Sequence, residues 1–112
     1  MARDTAVPEH LSDAMKRFCR QITRTYALST HHRKLLVCAA ESHDRMTQAR
    51  DVVTAEGLTT VDRHGQKRPH PAIAIERDSR VAFARMLREL GLGDETSDSR
   101  PPRLSGRYRG RD

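Results

Sequence analysis

Six basic residues and no acid lie between positions 16 and 34: Lys16, Arg17, Arg20, Arg24, Arg33 and Lys34. A second basic group, Arg63, His64, Lys67, Arg68 and His70, sits mid-chain, and a third, Arg100, Arg103, Arg107, Arg109 and Arg111, lies near the C-terminus. Lysine and arginine clustered in this way supply the point charges and forked N–H donors that phosphates attract, so a polyanionic partner is the chemistry they point to. The net charge of +6, from 21 Lys and Arg against 15 Asp and Glu, agrees. The rival reading is a cationic surface that serves only solubility.

Other reactive side chains form no comparable pattern. His31 and His32 are adjacent, and neighbours on a helix point about 100° apart, which makes them poor joint ligands for one metal ion. No Cys/His spacing matches a zinc pattern, and His43 reads as a core histidine hydrogen-bonded to a neighbour. Cys19 and Cys38 each fall in an apolar helical pattern and read as buried small hydrophobes. The acids are spread as helix-surface partners, with Glu41 and Arg45, and Glu76 and Arg80, spaced as i,i+4 pairs. No glycine-rich stretch leads into Gly-Lys-Ser or Gly-Lys-Thr, so a nucleotide-driven motor is not expected. The residues therefore predict a binding protein with no catalytic site, no cofactor and no metal.

The elements that must carry these charges follow from apolar spacing. Leu11, Met15, Phe18, Ile22 and Tyr26 recur every three or four residues, which predicts a helix over about 12–26 with Ser12 as its cap. Lys16, Arg17, Arg20 and Arg24 fall away from that stripe. A second helix is expected from Ser29 or Thr30 to Glu56, ended by Gly57 in a left-handed cap, with Leu35, Leu36, Ala39, His43, Met46, Ala49, Val52 and Val53 on its buried side. At about 1.5 Å per residue it is roughly 40 Å long, more than a small globule needs, which predicts that it also packs on another subunit. Residues 58–71 read as a short β-hairpin with an Asp62-Arg63-His64-Gly65 turn. Pro71 then suits the first turn of a third helix, about 72–90, with Ile75, Ala82, Phe83, Met86, Leu87 and Leu90 on its apolar side and Gly91 as its cap. Helices 2 and 3 are expected to supply subunit interfaces, at Val53 and Met86 among others.

With 112 residues there is room for one compact domain, and 36% hydrophobic but only 4% aromatic residues leave a core of Leu, Ile, Val, Ala and Met, a helical palette. The expectation is an all-α fold: a helical hairpin of a short and a long helix, a hairpin-like connection, a third helix and a disordered basic tail. Its divisions are a flexible N-terminus at 1–11, a helical DNA-binding and oligomerisation domain at 12–92, and an Arg-rich tail at 93–112 too polar to pack. No signal-like region and no apolar run near 20 residues is present, which predicts a soluble intracellular protein without a membrane partner. The candidate DNA-binding set is Lys16, Arg17, Arg20, Arg24, Arg33, Lys34, Arg63, Lys67 and Arg68. A DNA-binding regulator, with helix 1 and the start of helix 2 as a helix-turn-helix, is the alternative. A scaffold with purely solubilising charge is a third reading.

The succession Tyr26-x-Leu28, Leu35-Leu36, Ala39-Ala40-Glu41, Asp44-Arg45, Gly57-Leu58, Asp62-Arg63-x-Gly65 and Pro69-x-Pro71 resembles the small subunit of phage terminases. It continues with Ile75-Glu76-Arg77-Asp78-x-Arg80, then Phe83-x-Arg85-x-Leu87-Arg88-Glu89-Leu90-Gly91-Leu92 and the Arg/Pro/Gly tail, so the resemblance spans about residues 10–110. It implies a non-catalytic component of the genome-packaging machine, acting in the host cytoplasm. Such a subunit forms a homo-oligomeric ring, binds the packaging site on double-stranded phage DNA, and recruits and regulates the terminase large subunit that holds the ATPase and nuclease.

Overall fold

The computed structural model describes residues 7–92 and consists of three helices and one two-stranded ribbon: α1 (Asp13–Thr25), α2 (Thr30–Glu56), β1 (Thr59–Val61), β2 (Lys67–Pro69) and α3 (Pro71–Leu90). Each helix starts at a side chain that accepts an otherwise unpaired N–H. Ser12 Oγ accepts from Met15 N at 3.2 Å, Ser29 Oγ from His32 N at 3.3 Å, and His70 Nδ1 from Ala72 N at 3.0 Å. Pro71 follows its cap at the first helical position, where a missing N–H costs nothing. The all-α expectation and the element boundaries read from apolar spacing agree with this architecture.

Gly57 ends α2 with its N–H on Val53 O at 2.7 Å, and its φ of 95° with ψ of 173° is not the expected left-handed cap. That pairing of positive φ with extended ψ is open almost solely to glycine, and it turns the chain straight out of the helix into β1. The ribbon pairs Thr59 with Pro69, Thr60 with Arg68 and Val61 with Lys67, antiparallel. It leads directly into α3, which runs back along α2 and makes the most extensive interhelix contact of the fold.

One core cluster joins Leu11, Met15 and Cys19 to Leu36 and Ala40, with Val7, Phe18, Ile22, Leu28 and Leu90 packed against it. Thus α1 sits on the first half of α2, next to the end of α3, and the Phe18 and Phe83 rings tilt together with centroids 6.3 Å apart. The stretch expected to be flexible at 1–11 has its residues 7–11 in this packing, and Leu11 is 4% exposed. The tail expected at 93–112 lies outside the described residues. Along α2, α3 flanks the helix and α1 covers its first half.

Several predicted positions move. Cys38 is exposed while Cys19 is buried: Cys38 sits about 200° around α2 from Leu36, on the side that α1 does not cover. Val52 and Ile75 are exposed at the edge of the α2–α3 contact, and Val53 and Met86 are half-buried. His43 meets the edge of the Phe83 ring, centroids 5.0 Å apart, and its buried Nδ1 has no hydrogen-bond partner, contrary to the bonded core histidine expected. Glu41 bonds His10 Nε2 at 2.7 Å where a pair with Arg45 was anticipated, while Glu76 does bind Arg80, at 3.4 Å.

Candidate nucleic-acid interface

The first basic group is held by a clamp at the start of α1. Ser12 donates its Oγ–H to Asp44 Oδ1 at 2.6 Å and its backbone N–H to Asp44 Oδ2 at 2.7 Å, so the cap of α1 is also its tie to α2. Opposite the buried stripe, Arg17, Arg20 and Arg24 are all exposed, and spacings of three and seven put them within about 60° of one another. They form one solvent-facing basic strip about 10 Å long. Lys34 is exposed on the opening turns of α2, where the helix dipole adds positive potential.

Two members of the predicted set do not join that strip. Lys16 is half-buried, its side chain 20% exposed, with Nζ 3.6 Å from Glu9 Oε1. Arg33 is half-buried with its Nε shielded from solvent. Conversely, Arg85 and Arg88 are exposed on the last turns of α3, whose Leu90 packs into the α1–α2 core, so they lie at the same end of the molecule. Their signal in the sequence was their place off the apolar stripe of helix 3; only the return of α3 along α2 puts them at that end of the molecule.

The second basic group sits on the ribbon and is organised by Asp62. Its Oδ1 accepts from His64 N at 2.8 Å and Gln66 N at 3.0 Å, and its Oδ2 from Arg68 Nε at 3.0 Å. Gly65, at φ 80°, donates to Asp62 O at 2.9 Å and closes the turn. These donors, the Gln66 N–H first and then the Arg68 guanidinium, hold the Asp62 carboxyl below its ordinary range. The turn is therefore fixed locally, with Arg63, His64 and Lys67 exposed and Arg68 exposed but braced against Asp62. A two-stranded ribbon of this kind is narrow enough to enter a DNA major groove.

His70, grouped with these cations in sequence, does something else. It is 8% exposed, caps α3 through Nδ1 and bonds Glu56 Oε1 through Nε2 at 2.8 Å, which ties the end of α2 to the start of α3 beneath the ribbon. The nine predicted residues thus fall into two groups, one beside the first half of α2 and one beyond its end, roughly 25–35 Å apart along that helix. One chain does not gather them into a single patch.

Elsewhere the chemistry is structural. Glu76 receives Arg50 at 3.0 Å and Arg80 at 3.4 Å, and these two guanidinium groups lower its carboxyl pKa. Burial pushes the Cys19 thiol up to about 11, with nearby Asp44 adding to the effect. Among the described residues no three His, Cys, Asp or Glu are grouped to hold a metal ion. No described helix is long and apolar enough to cross a membrane.

The search of curated proteins and that of solved structures each returned no match. The family model of the phage terminase small subunit matches residues 13–100, which takes in α1, the ribbon and α3 in full. With most of its length matched, and with the helices that carry the basic strip inside the match, the chain belongs to the phage terminase small subunit family.

Proposed function

We propose that this terminase small subunit binds double-stranded DNA at the packaging site as a homo-oligomeric ring, and that it recruits and regulates the large ATPase and nuclease subunit, with no catalysis of its own. Its place in phage DNA packaging follows from the family. The observation that carries the DNA reading is the exposed strip of Arg17, Arg20 and Arg24, which has no apolar neighbour to cover and no acid on its own stretch to neutralise it. Lys34, exposed on the opening turns of α2, offers a separate contact. Arg63, Lys67 and Arg68 offer a second contact on the ribbon, and Lys16 and Arg33 stand at the margin of the first. The helix-turn-helix regulator remains the rival, since α1 and α2 are joined by only Tyr26–Ser29.

The test is fluorescence anisotropy with a duplex titrated at several salt concentrations. Neutralising Arg17, Arg20 and Arg24 to Ala removes up to three phosphate contacts, and each is worth about 0.9 in the slope of log affinity against log salt. The slope is expected to flatten by about 2 to 3. A slope equal to that of the parent protein would remove the strip from the DNA interface. Light scattering separates the rival, because a regulator is expected as a dimer and a packaging subunit as a larger ring.

A further inference from the structure

The ribbon end of the molecule carries Val52, Leu58, Val61 and Ile75, four of the exposed large hydrophobic residues of the described chain, with Leu58 and Val61 each 65% exposed. An apolar cluster of this extent, on the order of a few hundred Å², marks a contact surface more often than a bare face. It has two parts of opposite shape. One is a groove of about 310 Å³ between α2 and α3, walled by Ala49, Val52, Pro71, Ala72 and Ile75. The other is the projecting ribbon.

Register decides which ribbon face is apolar. Thr59 opposes Pro69 and Val61 opposes Lys67, so these four side chains share one face, while Thr60 and Arg68 share the other with Asp62. The first face has Val61 at its centre and one charge, Lys67. The backbone edges differ too. Pro69 lacks the N–H that another strand would need, which blunts the β2 edge, whereas β1 is Thr-Thr-Val with nothing to block it.

We infer that the Val61 face of one copy's ribbon seats in the α2–α3 groove of a second copy. The groove is large enough for a valine side chain and the proline beside it. The charges match: Glu56, exposed and bonded to the groove-lining His70, lies one helical turn beyond the groove-lining Val52, where the incoming Lys67 would arrive. Arg45, the cation that lines the groove, lies eleven residues from Glu56, about 16 Å along α2, clear of that point. Because the projecting part and the receiving part are different surfaces, the contact is head-to-tail, the kind that closes into a ring when the rotation between copies permits. The tip residues Arg63 and His64, and Arg68 on the other face, stay outside the contact and remain available to DNA. This inference deepens the self-assembly part of the proposed function and rests on it.

The test uses exposed positions, so that folding is preserved. Val61→Asp and Ile75→Asp are each expected to reduce the native mass to one or two chains of 12.7 kDa while leaving helical circular dichroism unchanged. Val61→Cys and Ile75→Cys, both in a Cys38→Ser background and one of them carrying a size tag, are then mixed and oxidised. A disulfide-linked dimer is expected in the mixture, at least tenfold above either variant alone. Equal crosslinking of Val61→Cys with itself would mean that β1 edges meet about a two-fold axis, and would overturn the head-to-tail seat. A parent mass retained by both Asp variants would overturn it as well, and so would a parent protein that is monomeric alone, since the groove would then serve another partner. Anisotropy with duplex DNA is an independent readout, so an intact assembly that fails to bind DNA sinks the DNA reading and leaves this contact standing.

Discussion

Replacing His70 with alanine strips α3 of its cap and cuts the tie between the ends of α2 and α3. The ring is 8% exposed, and both nitrogens are engaged, Nδ1 with Ala72 N at 3.0 Å and Nε2 with Glu56 at 2.8 Å. Loss of an N-cap costs about 1 kcal/mol. The second bond is discounted, because the Glu56 side chain is 61% exposed and water replaces its partner, leaving about 0.5 kcal/mol. The sum, about 1.5 kcal/mol, lowers Tm by roughly 6–12 °C in a domain of this size. Asparagine at the same position can accept the Ala72 N–H but does not reach Glu56, so His70→Asn is expected to recover about two thirds of the loss. Thermal unfolding followed by circular dichroism, at one fixed protein concentration because assembly shifts Tm, reads both values. Equal destabilisation by His70→Ala and His70→Asn would refute the capping role. A Tm for His70→Ala within about 1 °C of the parent would refute the whole account of this residue.

The Asp62 turn has a defined pH response. Its carboxyl pKa is lowered in the fold from 3.8, so the turn's stabilisation is complete above that value and is lost as pH falls through the lower folded value. Amide exchange at His64 and Gln66 is expected to rise only in strong acid in the parent protein, and at neutral pH in Asp62→Ala; protection that survives in Asp62→Ala would mean another group holds the turn. The two cysteines are expected to differ sharply toward a thiol reagent. Cys38 is exposed and should react at once, whereas Cys19, buried and with its thiol pushed up to about 11, should react only on unfolding, so two fast equivalents would contradict the packing of α1 on α2.

Local chemistry wrote much of this fold into the sequence. Ser12, Gly57, Pro71 and Gly91 mark element ends by preferences that act within one or two residues, and a stripe at spacings of three and four is visible wherever a helix buries one side. That is why α1, α2 and α3, and the turn at Asp62 to Gly65, were legible. The basic strip on α1 was legible for the same reason, since Arg17, Arg20 and Arg24 share a face by helical period alone. Contacts between elements were not, because no local preference encodes which helix covers which. Only the docking of α1 on the first half of α2 decided that Lys16 and Arg33 turn partly inward, that Cys38 faces outward, and that Glu41 meets His10. Only the return of α3 placed Arg85 and Arg88 at the end that carries the strip, and turned His70 from one more cation beside Arg68 into a buried cap. The docking of α1 on the first half of a 27-residue helix set the two basic groups roughly 25–35 Å apart along it, a separation that counting charges along the chain does not reveal.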